Sequence, residues 1–163
     1  MRPIVVADAG PLIALAGCGQ LVLLTEVFST VHLPQTVLRE TSGDLSRPGA
    51  QAIAEFAQHH AQIHPDRNDA IYRQSIIGLD EGESQAISLA HALQCSLLMD
   101  ERRGRAVARS FGLPLFGVLG VLVQAHRLGH VNHLAPLLRQ MQDHGYRIAP
   151  ALVTAALQAV GEA

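Results

Sequence analysis

Apolar residues fall along this chain in two rhythms: short unbroken runs, and longer stretches in which they recur every three or four positions. The first rhythm predicts strands buried on both faces, and the second predicts helices that cover them. Strand-like runs are Ile4 to Asp8, Thr30 to Leu33, Ser96 to Met99 and Leu113 to Phe116, with a further edge strand expected at Gln62 to His64. Helical spacing covers Pro11 to Ala16, Leu21 to Val27, Pro34 to Glu40, Ala50 to His60, Asp69 to Ile77, Glu81 to Gln94 and Arg102 to Phe111. Gly10, Gly17 and Gly19 punctuate the first two of these, Pro34 suits an opening helical position, and the Ser, Gly and Pro of 41–49 make a loop. The remainder is helical only, at Val118 to Arg127, Leu134 to His144 and Ala151 to Val160.

Strand alternating with helix specifies a parallel sheet with helices on both sides. The expected fold class is therefore α/β: a three-layer α/β/α sandwich around a central, mostly parallel sheet of four to five strands. The 163 residues suit one domain, with 118–163 a helical C-terminal extension packed on it. Hydrophobic residues make up 48% and charged residues 16%, which excludes disorder and leaves apolar surface for a partner. No apolar run approaches the roughly 20 residues of a membrane span. The apolar start ends at Asp8, too early for a secretory signal, so no membrane association and a cytoplasmic location are expected. Cys18 and Cys95 stand alone and are expected as small buried hydrophobes.

All twelve basic residues are Arg. Without Lys, neither a P-loop nor a pyridoxal Schiff base can be built. Gly17 to Val22 begins like a dinucleotide fingerprint but ends in Val and lies beyond the strand-to-helix turn, and no Ser has the setting of a nucleophile elbow. His126, His130 and His133 are interrupted by Gly129 and read as surface histidines. With 4% aromatic residues and no Trp, a stacking platform for single strands is not expected.

What remains is acidic. Asp8 and Asp100 each close a strand, where open α/β sheets collect their ligands. Asp8 precedes Ala9-Gly10-Pro11, which reads as a turn and leaves its carboxylate without structural duty, whereas Asp100 could equally cap the helix that follows. Glu83 shares a helix face with Ala86, Ile87 and Ala90, while Glu81, Ser84, Gln85 and Ser88 make a solvated face. Asp80 and Glu83 also have capping-box spacing, a role compatible with a site role. Glu40 ends the apolar stripe of its helix and reads equally as a frayed end or a site residue. Acids meeting at strand ends repel one another unless a cation neutralises them, and carboxylates suit Mg²⁺ or Mn²⁺, ions that activate water and steady a leaving phosphodiester oxygen. Arg102, Arg105 and Arg109 align on one helix face directly after Asp100, so they form either a solvated face or a nucleic-acid-binding stripe.

Four stretches carry a resemblance: Val5 to Leu15, Val31 to Glu40, Gly78 to Ile87 and Leu97 to Arg105. In that order they resemble PIN-domain proteins, in the branch related to VapC-like toxins of bacterial toxin–antitoxin pairs. The resemblance implies that Asp8, Glu40, Glu83 and Asp100 form an acidic quartet that binds Mg²⁺ or Mn²⁺ for RNA hydrolysis. It also implies a homodimer held by helices and a small antitoxin partner. The chain departs from the family pattern at Ala9 and Gly10, where many members carry Ser or Thr. That departure motivates an alternative: a catalytically weak or inactive PIN-like interaction module. A phosphotransfer domain with Asp8 as acceptor fits poorly, because such families generally place a Lys near the acyl-phosphate.

Overall fold

β1 (Ile4–Ala7), β2 (Thr30–Pro34), β3 (Ala61–His64), β4 (Ser96–Leu98) and β5 (Leu115–Phe116) form one sheet of order β3-β2-β1-β4-β5 in the computed structural model, which describes residues 1–162. Every pairing is parallel; β1 is central, with Val5 opposite Val31 on one side and opposite Ser96 on the other. β-branched residues fill β1 because it is covered on both faces. Val5 and Ala7 join one core with Leu12, Leu24, Phe28 and Leu122, while Val6 joins a second with Ile87, Leu97 and Met99. Those two cores separate the three layers of an α/β/α sandwich.

α1 (Ala9–Gly17), α2 (Leu23–Val27), α3 (Gln35–Ser42) and α4 (Ala50–His60) precede the edge strand β3; α5 (Ala70–Ser75) and α6 (Glu81–Leu93) lead into β4. α7 (Arg102–Ser110) separates β4 from β5, and α8 (Val118–Arg127), α9 (Ala135–Asp143) and α10 (Pro150–Ala159) follow. Leu122, Leu138, Met141 and Ala156 of the last three bury side chains in the same core as Val5. No described helix is long and apolar enough to cross a membrane.

Pro34 ends β2 instead of opening a helix, and α3 runs to Ser42, into the expected loop. The structure departs from the sequence pattern in three further places. Helix starts directly at Ala9 rather than after a turn, since Gly10 and Pro11 occupy first-turn positions whose N–H groups have no partner within the helix. β5 is two residues long instead of four: Pro114 accepts from Leu97 N–H at 2.9 Å but has no N–H with which to extend the ladder. Ser84, Gln85 and Ser88 are buried, not solvated. Gln85 exchanges hydrogen bonds with the backbone of Arg67, and Ser88 donates to Asp69, so the polar side of α6 clips the 67–69 loop.

Candidate functional site

Between β1 and β4 the chain order of the sheet reverses, which is where parallel sheets open a crevice beyond their strand ends. Asp8 stands at that point. Its N–H donates to Leu98 O at 2.9 Å, continuing the ladder by one residue, so sheet backbone holds it in place, and it is 6% exposed.

Asp100 leaves the neighbouring strand and turns away from α7. Its carboxylate accepts from Val118 N–H at 3.1 and 3.2 Å, at the start of α8, and from the Tyr146 hydroxyl. The approach to α8 is close enough that a Cβ on Gly117 would lie 2.7 Å from Asp100 Oδ1. The cap that sequence allowed Asp100 belongs instead to Glu101, which accepts from Arg103 N–H at 3.1 Å and Gly104 N–H at 2.6 Å. Glu101 is the residue adjoining the first helical position, whereas Asp100 lies one residue too early to reach those N–H groups.

Glu83 does form the capping box: Asp80 accepts its N–H at 2.8 Å and it accepts that of Asp80 at 3.1 Å. Glu40 is exposed and lies over the same helix start, where a Cβ on Gly82 would meet its Oε2 at 2.4 Å. Asp8, Glu40, Glu83 and Asp100 all line one cavity of about 340 Å³, together with Asp80, Glu101, Tyr146 and Arg147. Among the described residues, however, no three acids or histidines come close enough to share one metal ion. The quartet surrounds a common space without closing on a common point: Asp100 is drawn to α8, Glu83 to its own cap and Glu40 to Gly82.

None of these six acids forms a salt bridge among the described residues. Burial pushes the Asp8 carboxyl up to about 7, with the charges of Asp80, Glu40 and Glu101 adding to it. Burial likewise pushes Glu83 to about 7, helped by Asp80, a hydrogen bond shared with Glu101 and the charge of Asp8. Although burial acts upward on Glu101 too, the Gly104 and Arg103 N–H groups and the proton from Glu83 hold it below its usual range. Asp100 is raised by burial against the pull of Tyr146 and Val118, and the Tyr146 phenol is raised by burial beside Asp100 and Asp8, so it stays a donor. Crowded carboxylates that outnumber the one arginine beside them, Arg147, and form no salt bridge among the described residues are a donor set that suits a hard divalent cation.

The arginine stripe faces a second cavity of about 730 Å³, lined by Arg102, Arg105 and Arg109 on one side and by Leu119, Ile148 and Leu152 on another. Arg105 also donates to Met99 O at 2.7 Å, which ties the stripe to the end of β4. Asp100, Tyr146 and Arg147 line both cavities and form the wall between them. Sequence reasoning passed over Tyr146 and Arg147. The available signal was slight: one of two tyrosines, beside an Arg, just after a glycine between two helices.

A family model described as a PIN domain matches residues 4–162. No curated protein matches the chain. Among solved structures, a PilT N-terminus domain protein from the hyperthermophilic archaeon Sulfolobus solfataricus is similar at a TM-score of 0.54 and 16% identity, over 80% of this chain and 98% of that one. A domain of a functionally unknown protein from Methanocaldococcus jannaschii aligns at a TM-score of 0.45 and 16% identity, over 71% of this chain and 91% of that one.

Proposed function

Since the chain belongs to the PIN-domain family, whose members are in general nucleases, we propose that it is a divalent-metal-dependent endoribonuclease. One observation carries the reading: an acidic cavity whose carboxylates form no salt bridge among the described residues shares a wall with an arginine-lined groove. Asp8, Glu40, Glu83 and Asp100 would hold Mg²⁺ or Mn²⁺. A bound cation of this kind supplies charge neutralisation and a lowered pKa for water. Arg102, Arg105 and Arg109, with Arg147, hold the phosphates of the strand on either side of the scissile bond and so fix its register without reading its bases. Asp8 gives the site a rigid reference point because its own backbone is part of the sheet.

The finer assignment follows the resemblance of the four stretches: the toxin of a type II toxin–antitoxin pair, acting in the cytoplasm as a homodimer and blocked by a small antitoxin. Labelled single-stranded RNA incubated with the purified protein and Mn²⁺, beside EDTA and Asp8→Asn controls, tests the enzyme. Cleavage that disappears in both controls is the expected result, and cleavage that survives Asp8→Asn rejects the assignment. A second reading, an inactive interaction module, is favoured by the separation of the acids, no three of which share an ion position among the described residues. Calorimetry with Mn²⁺ separates the two, because the module alone would release no heat.

A further inference from the structure

Asp100 is the acid whose orientation has the most distant support. Val118 N–H holds it from α8, and the Tyr146 hydroxyl donates to its Oδ2 from a segment 46 residues further along the chain. Each carboxylate oxygen offers two lone pairs. Oδ1 accepts only from Val118 among the described hydrogen bonds, so it keeps a lone pair for a cation. The Tyr146 ring crosses the first turn of α1, where a Cβ on Gly10 would lie 3.8 Å from the hydroxyl and 3.9 Å from the ring edge. One side chain therefore spans from the helix that follows Asp8 to the carboxylate of Asp100. Its ring packs against the larger core, and its oxygen forms part of the wall between the acidic cavity and the arginine groove.

We propose that Tyr146 is a positioning residue of the acidic site: its phenol fixes the Asp100 carboxylate at the wall of the acidic cavity and leaves Oδ1 free to ligate a divalent cation. This rests on the metal-dependent reading above. The 144–149 segment between α9 and α10 is then part of the site, although it carries none of the acids.

Mn²⁺ affinity is measured by calorimetry on the wild type, Tyr146→Phe and Tyr146→Leu, with a melting curve for each. Partners that orient a metal ligand typically change affinity by about 10- to 100-fold when removed. The expected result is a Phe variant that melts like the wild type yet binds Mn²⁺ about 10- to 100-fold more weakly, with Leu no better. A second readout needs no change at Tyr146. The chain has two Tyr and no Trp, so Tyr72→Phe leaves Tyr146 as the sole emitter. Emission from a phenol bonded to a carboxylate changes when a cation takes up that carboxylate, and Mg²⁺ should shift it with the same midpoint as Mg²⁺ heat measured on the same Tyr72→Phe protein. A Phe variant that binds Mn²⁺ within twofold of the wild type overturns the proposal. If the Phe variant does not fold, emission that stays flat to Mg²⁺ saturation overturns it. A wild type that binds no Mn²⁺ at all rejects the metal-dependent reading itself, a result distinguishable from either.

Discussion

Replacing Asp8 by Asn should make the metal-free protein more stable, not less. The carboxyl is 6% exposed, and burial lifts it from its ordinary 3.8 to about 7. The folded state therefore holds the proton more tightly than the unfolded chain does. Stability from this group is complete below about pH 4 and is lost as pH rises through about 7. Such a climb corresponds to about 4 kcal/mol once both states are ionised. That is a large share of the roughly 5–15 kcal/mol of a typical domain, and an upper bound, since neighbouring groups relax. Asn keeps the shape but cannot ionise. Urea unfolding followed by circular dichroism in EDTA should show Asp8→Asn more stable than the wild type at pH 8, by up to about 4 kcal/mol, with the gap closing near pH 4. Mn²⁺ at about a hundred times its dissociation constant should restore about 2.7 kcal/mol to the wild type and little to the variant. An Asn variant no more stable than the wild type at pH 8 would refute the argument, because the buried charge would then cost nothing.

Other variants separate the layers of the site. Glu83→Gln keeps a capping-box partner at the third helical position, so melting should change little while Mn²⁺ heat disappears. Arg109→Ala and Arg147→Ala should each lower the slope of log affinity against log salt by about 1, read by anisotropy of labelled RNA in EDTA. Gly82→Ala sets a Cβ against the free end of an exposed Glu40; stability should hold within about 0.5 kcal/mol, while Mn²⁺ affinity falls as Glu40 swings aside. Gly117→Ala meets Oδ1 of Asp100, a carboxylate held by Val118 N–H and by the Tyr146 hydroxyl on Oδ2, so it should cost about 1–3 kcal/mol in urea unfolding.

The sheet was legible because β1, β2 and β4 are largely buried and apolar at most positions, His32 and Ser96 being buried exceptions, a constraint that leaves its mark along each run. The placing of Asp8 and Asp100 at strand ends was legible for the same reason. Which acid caps which helix was not, since Asp100 and Glu101 are neighbours and a one-residue difference in reach decides between α7 and α8. The solvated face assigned to α6 failed because Gln85 and Ser88 bond to a polar loop, and hydrophobic periodicity cannot detect burial against polar partners. Tyr146 was invisible because its contact crosses 46 residues of chain and follows no local period.

The tie between Asp100 and Tyr146 also sets an order in time. A ribosome adds about 5–20 residues each second, so the 46 residues separating the pair take about 2–9 s to make. For that interval every acid of the quartet has already been synthesised, yet the wall shared by the two cavities does not exist. The nascent chain carries these carboxylates before residues 144–149 exist, and the proposed site is complete only once that segment docks over Gly10.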